Sequence, residues 1–168
     1  NPYAWSAVTG AAEIGMGDVI TGLLPQTGNQ SGASLAVFTT GKTSILYGTS
    51  AANFQLIPSV NDLGYNRYTI QSVGNNAFGL TGRGVQSLSS TQSYGDFLYA
   101  SISFLVAPLL NKKQGLACAS VTLQSKDQYR LFFTDGTALV FGLTGEKISG
   151  IMALNYNRPV RCVWGGYL

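Results

Sequence analysis

The residues that could do chemistry are few, and their spacing completes no known catalytic pattern. There is no histidine anywhere in the 168 residues, which removes Ser-His-Asp and Cys-His catalysis, imidazole metal ligation and histidine pH switching. Seven carboxylates remain: Glu13, Asp18, Asp62, Asp96, Asp127, Asp135 and Glu146. A carboxylate pair can act as acid and base, but only when the two groups are positioned and tuned, and none of these stands in an informative motif. Asp96 and Asp135 read instead as a helix cap and a turn residue. Gly41-Lys42-Thr43 has the ending of a phosphate-binding loop. That loop needs a glycine five positions earlier, where Ala36 stands, and a helix next, where Ser44-Ile45-Leu46-Tyr47 has a strand pattern. Gly82-Arg83-Gly84 opens like a dinucleotide fingerprint but has Ser87 at the third glycine position, and reads better as a tight turn. Cys118 and Cys162 are the only cysteines. Two do not make a disulfide framework, and the expectation is a pair of buried thiols. Asn29-Gln30-Ser31 matches a glycosylation sequon in what reads as an exposed Gly/Ser/Asn/Gln loop, without a secretion signal to give it meaning. Trp5 and Trp164 could be ligand platforms; the packing reading, as core or interface anchors, is preferred. No catalytic, cofactor-binding or metal-ligating residue is assigned.

The elements that would position any site are strands. Hydrophobic residues make up 45% of the chain and charged residues 10%, against roughly 25% charged in an average globular protein. The polar surface must therefore come from Ser, Thr, Asn, Gln and Gly. Nine Tyr, eight Phe and two Trp speak against long disorder. An apolar run, a short Thr/Gly/Asp turn and a second apolar run recur three times. The copies are Leu35 to Phe38 with Thr43 to Gly48, Ala77 to Leu80 with Val85 to Leu88, and Tyr129 to Phe133 with Ala138 to Phe141. Each reads as a β-hairpin. Asp135-Gly136 is the strongest turn signal, and predicts a type I′ turn with two positive φ angles. The turn glycines Gly41, Gly82 and Gly136 stand 41 and 54 residues apart, near the ~40–50-residue repeat of propeller blades. Further strands are expected over Phe54 to Val60, Tyr68 to Val73, Ala117 to Gln124, Ile148 to Tyr156 and Val160 to Trp164.

From Asp96 to Leu110 the apolar residues Leu98, Ile102, Leu105 and Leu109 follow helical spacing. Asp96 would be the N-cap, and Pro108 would disturb the last turn. Ile102, Phe104 and Val106 also alternate as in a strand; the helix is preferred for its length and cap.

The net charge of +3, with Lys112-Lys113 as the only basic run, does not suit a dedicated nucleic-acid binder. No apolar run approaches the ~20 residues of a membrane span. The first residues carry no Lys or Arg before Lys42, unlike a signal peptide. Opening on Asn1, the chain reads as an excised or processed segment.

Ser125-Lys126-Asp127-Gln128-Tyr129-Arg130-Leu131-Phe132-Phe133-Thr134-Asp135-Gly136 is first of all a strand entry, with Arg130 facing away from Tyr129 and Leu131. It also resembles an "S-K-N-Q-Y-R-L-F-F-x-D-G" strand and turn in tail proteins of tailed bacteriophages. Asn1-Pro2-Tyr3-Ala4-Trp5, Leu35 to Thr49, Leu80 to Leu88 and Pro159-Val160-Arg161-Cys162 are similar to further segments of that family. The chain departs from it at Asp127, where Asn is usual.

The resemblance implies a β-propeller body in a tail tube, nozzle or hub protein. Such a protein assembles as a homo-oligomeric ring below the portal, contacts portal, adaptor and other tail proteins, and lines the channel through which genomic DNA leaves the virion. It carries no catalytic residues to transfer.

The expectation is therefore an all-β, antiparallel β-propeller-like domain over residues 1–168, with about four blades in a ring that need not close within the chain, and one short α-helix. It would be a non-enzymatic virion structural protein of the tail, made in the host cytoplasm. It would need no cofactor and no membrane span, and would let DNA pass without sequence recognition. Open sheet edges and low charge predict self-association of the isolated chain. The rival is a carbohydrate-binding or glycan-processing propeller of a receptor-binding tail protein. Convergent carboxylates beside aromatic platforms in a concave site would favour it, whereas aromatics packed between sheets favour the structural reading. A cellular propeller scaffold that binds peptides is a third possibility.

Overall fold

The computed structural model describes residues 14–26, 34–50, 52–73, 76–90, 97–101, 103–144 and 147–165. The Asn1–Trp5 motif, Glu13, the Asn29–Ser31 sequon, Asp96, Ile102 and Glu146 lie outside the described residues.

Among the described residues, twelve strands form three four-stranded antiparallel sheets, each pairing in chain order. Sheet 1 holds β1 (Ile20–Gln26), β2 (Ser34–Thr39), β3 (Lys42–Tyr47) and β4 (Gln55–Asn61). Sheet 2 holds β5 (Gln71–Val73), β6 (Asn76–Thr81), β7 (Gly84–Ser90) and β8 (Phe97–Ser101). Sheet 3 holds β9 (Ala117–Leu123), β10 (Gln128–Phe133), β11 (Thr137–Thr144) and β12 (Lys147–Asn155). The three hairpins expected from the sequence are the central pairs, β2–β3, β6–β7 and β10–β11. The described residues form three such sheets and no closed ring.

Alternation along the strands makes the sheets stack. Ala77 of β6 joins a cluster with Ala36, Phe38, Ile45, Leu63, Tyr65 and Leu88, between sheets 1 and 2. Its neighbour Phe78 points the other way, into a cluster with Leu80, Val85, Tyr129, Leu131 and Phe141, between sheets 2 and 3. Sheet 2 is the middle layer, and every residue of β6 is buried. Aromatic rings join the layers edge-on: Phe38 and Tyr65 have centroids 4.7 Å apart, and Phe78 and Tyr129 6.0 Å. Each such buried side chain contributes roughly 1.5–3 kcal/mol. Close approach has its own requirement at Gly64, where a Cβ would lie 1.7 Å from the Thr40 carbonyl oxygen.

Four expectations are corrected. The helical spacing from Asp96 does not set the structure: Phe97–Ser101 is strand β8, and helix α1 spans only Ala107–Lys113. Pro108 sits in its first turn, where its missing N–H is unneeded. Leu105 and Leu109 of the expected apolar stripe are exposed, and Leu110 is the buried anchor. The stretch Val160 to Trp164 forms no strand, and Tyr68 lies before β5 rather than within it. Finally, Asp135-Gly136 does not form a type I′ turn. Gly136 alone has positive φ, at 86°, and its N–H donates to the Phe133 carbonyl at 3.1 Å. This is a three-residue loop, a type I turn followed by a left-handed glycine. No helix among the described residues is long and apolar enough to cross a membrane.

Candidate binding cleft

Two of the described carboxylates, Asp18 and Asp135, are occupied in bracing turns. Asp18 accepts from the Val19 N–H (2.7 Å), the Gly41 N–H (2.8 Å) and the hydroxyls of Thr39 and Thr40. These bonds, led by the Thr40 and Thr39 hydroxyls, hold its carboxyl well below the usual carboxylate range. The Gly41 amide that a phosphate loop would turn to its ligand is thus directed at Asp18. Asp135 accepts from the Thr137 N–H (2.9 Å) and hydroxyl (2.6 Å) and pairs with the Lys113 ammonium. Lys113 first, then Thr137, lowers its pKa to about 2. Asp62 and Asp127 occupy left-handed positions, at φ 61° and 47°. Asp135 is a turn residue as the sequence suggested. The bracing role of Asp18 was not legible, because three of its four partners lie more than twenty residues away.

A cleft of about 480 Å³ opens where the segment before β5, strand β9 and the 159–165 segment meet. Tyr68 stands at its rim, 64% exposed, with φ at 66°. A bulky residue at positive φ is an outlier that costs on the order of 1–3 kcal/mol and persists only where its surroundings over-determine it. The surroundings here do so with neutral hydrogen bonds. The Ser120 hydroxyl donates to the Tyr68 carbonyl (3.2 Å), and the buried Tyr129 hydroxyl donates to the Thr69 carbonyl (2.8 Å). The Thr69 hydroxyl donates to the Asn66 carbonyl (2.7 Å) and accepts from the Leu80 N–H (3.0 Å). Burial pushes the Tyr129 phenol far up, so it stays a neutral donor.

The Arg67 guanidinium lies 4.8 Å from the centroid of the Tyr68 ring, a cation–π arrangement. On another wall, Arg161 and Cys162 come from the C-terminal segment, and Cys118 from β9. The 159–165 segment is held there by Val160 and Val163, which pack against Val121, Phe132 and Ala138 on the outer face of sheet 3. The Cys118 thiol donates to the Val160 carbonyl at 3.3 Å.

The expectation of two buried thiols fails. Both cysteines are free, Cys118 half-buried and Cys162 exposed, Cys162 standing outside any strand. Burial raises the Cys118 pKa. Trp164 is 80% exposed and is no core anchor; Trp5 lies outside the described residues.

Among the described residues no carboxylate lines this cleft, and no group of three or more His, Cys, Asp or Glu side chains could hold a metal. What the lining offers is an aromatic face, the Arg161 cation and a partly apolar floor, with Arg67 against the Tyr68 ring. Tyr68, Ser120 and Arg161 had no distinguishing signal in the sequence, since a left-handed tyrosine is a product of tertiary hydrogen bonds. Comparison with known protein families and with curated protein sequences returns no match for this chain.

Proposed function

We propose that this chain is a structural segment of a β-propeller body in a phage tail ring, a wall element of the channel through which DNA leaves the virion. The observation that carries the reading is the face-to-face stack of three four-stranded antiparallel meanders with aromatic side chains packed between them. Consecutive blades of a propeller have this arrangement. The resemblance around Ser125 to Gly136 supplies the phage tail context.

The stack ends in surfaces that suit further packing. On the outer face of sheet 1, Leu23 is paired with Val37, and Pro58 with Ser44. The next row is Pro25, Leu35, Leu46 and Leu56. Leu23, Pro25 and Pro58 are exposed, Leu35, Leu46 and Leu56 half-buried, and Val37 and Ser44 already buried. Another blade, from the same or a neighbouring subunit, would cover the part of this face that is still exposed. Exposed faces, more than exposed edges, are then what would drive association. The edge strands β1 and β4 carry Pro25 and Pro58, which discourage edge pairing. In this reading the subunits form a homo-oligomeric ring, the outer loops meet portal, adaptor and other tail proteins, and DNA meets only backbone-directed electrostatics.

Analytical ultracentrifugation over a protein and salt series tests the proposal, with electron microscopy of the assembled particle. Association that survives high salt, and ring-shaped particles, are the expected result, because apolar contacts are not screened. A monomer at every concentration would count against it. The rival carbohydrate-binding reading draws on exposed Tyr68 beside a cleft. Its glycan-processing form would require convergent carboxylates, and none of the described ones lines that cleft.

A further inference from the structure

We propose that the Tyr68 cleft binds a nucleotide unit, its base stacked on the Tyr68 ring and its phosphate on the Arg161 guanidinium. The inference goes beyond the structural role proposed above and does not depend on it.

Three features point the same way. First, the fold holds a strained tyrosine so that its ring is 64% exposed at the rim of a cleft. Burial does not repay that strain, and with Arg67 over one face of the ring, the other face is the stacking surface that the arrangement provides. Second, the charged side chains placed at the cleft itself are cations. Arg67 lies against the Tyr68 ring, and Arg161 lines the cleft and is exposed. The single ion pair among the described residues, Lys113–Asp135, does not line the cleft. A planar guanidinium is suited to bidentate contact with phosphate. Third, the remaining lining suits a flat ring better than a polyhydroxylated one. Ile70, Ala119 and Val163 give apolar walls. The Gln71 amide nitrogen donates to the Ser120 carbonyl and the Ser120 hydroxyl to the Tyr68 carbonyl, so few wall donors remain for a pyranose. An aromatic platform beside cations is the usual recipe for holding a base and its phosphate. A volume of about 480 Å³ also lies within the ~300–1,000 Å³ range of small-ligand sites.

Isothermal titration calorimetry on the full chain tests this with four probes: adenosine 5′-monophosphate, adenosine, ribose 5-phosphate and glucuronate. The expected result is a dissociation constant below about 1 mM for the nucleotide, with adenosine and ribose 5-phosphate each at least about tenfold weaker, since each lacks one of the two anchors. Tyr68→Gly removes the ring while keeping a residue that accepts positive φ, so the fold is retained, and Arg161→Gln removes the cation from an exposed position. Each should weaken binding by about tenfold or more. Cys162, which lines the cleft and is exposed, supplies a second readout. Bound nucleotide should slow its alkylation by iodoacetamide in the wild type but not in either variant. Absence of nucleotide binding at ~5 mM, well above the expected constant, would overturn the proposal. So would binding unaffected by both substitutions, or glucuronate binding more tightly than the nucleotide.

Discussion

Of the turns that place a residue in the left-handed region, two are built for different ends. At the β10–β11 hairpin the position falls to Gly136, buried, with φ at 86°. The turn is unstrained, and the chain packs directly over it. The Tyr156 N–H donates to the Gly136 carbonyl at 2.8 Å, and a Cβ on Gly136 would lie 2.5 Å from the Arg158 carbonyl oxygen. Before β5 the corresponding conformation falls to Tyr68, exposed and with its ring outside the core. Glycine or asparagine would meet the backbone requirement there at lower cost. The first turn is what selection for stability alone would produce. The second keeps a costly residue where its ring makes little contribution to packing, which is the pattern expected when a side chain is retained for what it touches.

The sharpest way to break this comparison is at Gly136. Replacing it with Val adds both backbone strain and an overlap with Arg158. The expected destabilisation is about 3 kcal/mol, the upper end of the usual range for a strained φ. Chemical denaturation with an unchanged slope and a lowered midpoint would show it. An unaltered midpoint would mean that the turn is not held as described.

At Tyr68 the sign should reverse. Tyr68→Gly relieves the positive-φ strain and loses only an exposed ring and its contact with Arg67, while adding some backbone entropy to the unfolded chain. The net expectation is a gain of up to about 1 kcal/mol, visible as a higher denaturation midpoint. A clear loss of stability would show that the ring contributes to packing after all, and would remove the contrast between the two turns.

Acid should separate the same two regions. The β10–β11 tip is pinned by the Asp135 carboxylate, whose pKa is lowered to about 2. A depressed carboxylate holds its stabilisation above its unfolded pKa near 4 and loses it as pH falls through the folded value. The window is therefore about pH 4 down to about 2 for this tip, and Asp18, held lower still, should release the β2–β3 turn at the acid end of that range or below it. The Tyr68 turn is pinned by the hydroxyls of Ser120, Tyr129 and Thr69, none of which titrates there. Hydrogen exchange should show the Thr137 amide losing protection first, while the Leu80 amide, bonded to Thr69, keeps it. Equal losses at both amides would indicate global unfolding instead.

The parts of the fold that could be read in the sequence are those fixed by local pattern. Alternating apolar runs around Thr/Gly/Asp turns located the central hairpin of every sheet, because a two-residue period and a turn are short-range properties. The region from Asp96 to Lys113 shows where that fails. Leu98, Ile102, Leu105 and Leu109 have helical spacing, yet Phe97–Ser101 pairs with β7, and tertiary pairing overrides the local preference. The cleft was less legible still. Tyr68, Ser120 and Arg161 are 41 or more residues apart in sequence, and nothing in their local context marks a site. Their association depends on sheets 2 and 3 stacking and on Val160 and Val163 fastening the C-terminal segment.

Asp127 lies between the two extremes and gives the finest test. It ends the short 3₁₀ turn Gln124–Lys126, at φ 47°, with its N–H donating to the Gln124 carbonyl (3.2 Å) and its carbonyl accepting from the Leu143 N–H (2.8 Å). Both bonds are made by the backbone, so the side chain is free to change without losing either. The left-handed region is open to Asp and Asn more than to most residues, because their short polar side chains bond locally. Asn has the further advantage of carrying no charge and of offering a donor as well as an acceptor. Asn is also the residue that the resembling tail-protein segment carries here. Asp127→Asn should therefore stabilise the fold by a few tenths of a kcal/mol, on the order of the difference between alternative turn residues, and leave the β9–β10 register unchanged. Asp127→Val should do the opposite by roughly 1 kcal/mol, since a β-branched residue is strained at this φ. If Asn and Val were equally tolerated, the left-handed turn would not be rigidly held. The contrast between an easy glycine and a costly tyrosine would then lose its middle term.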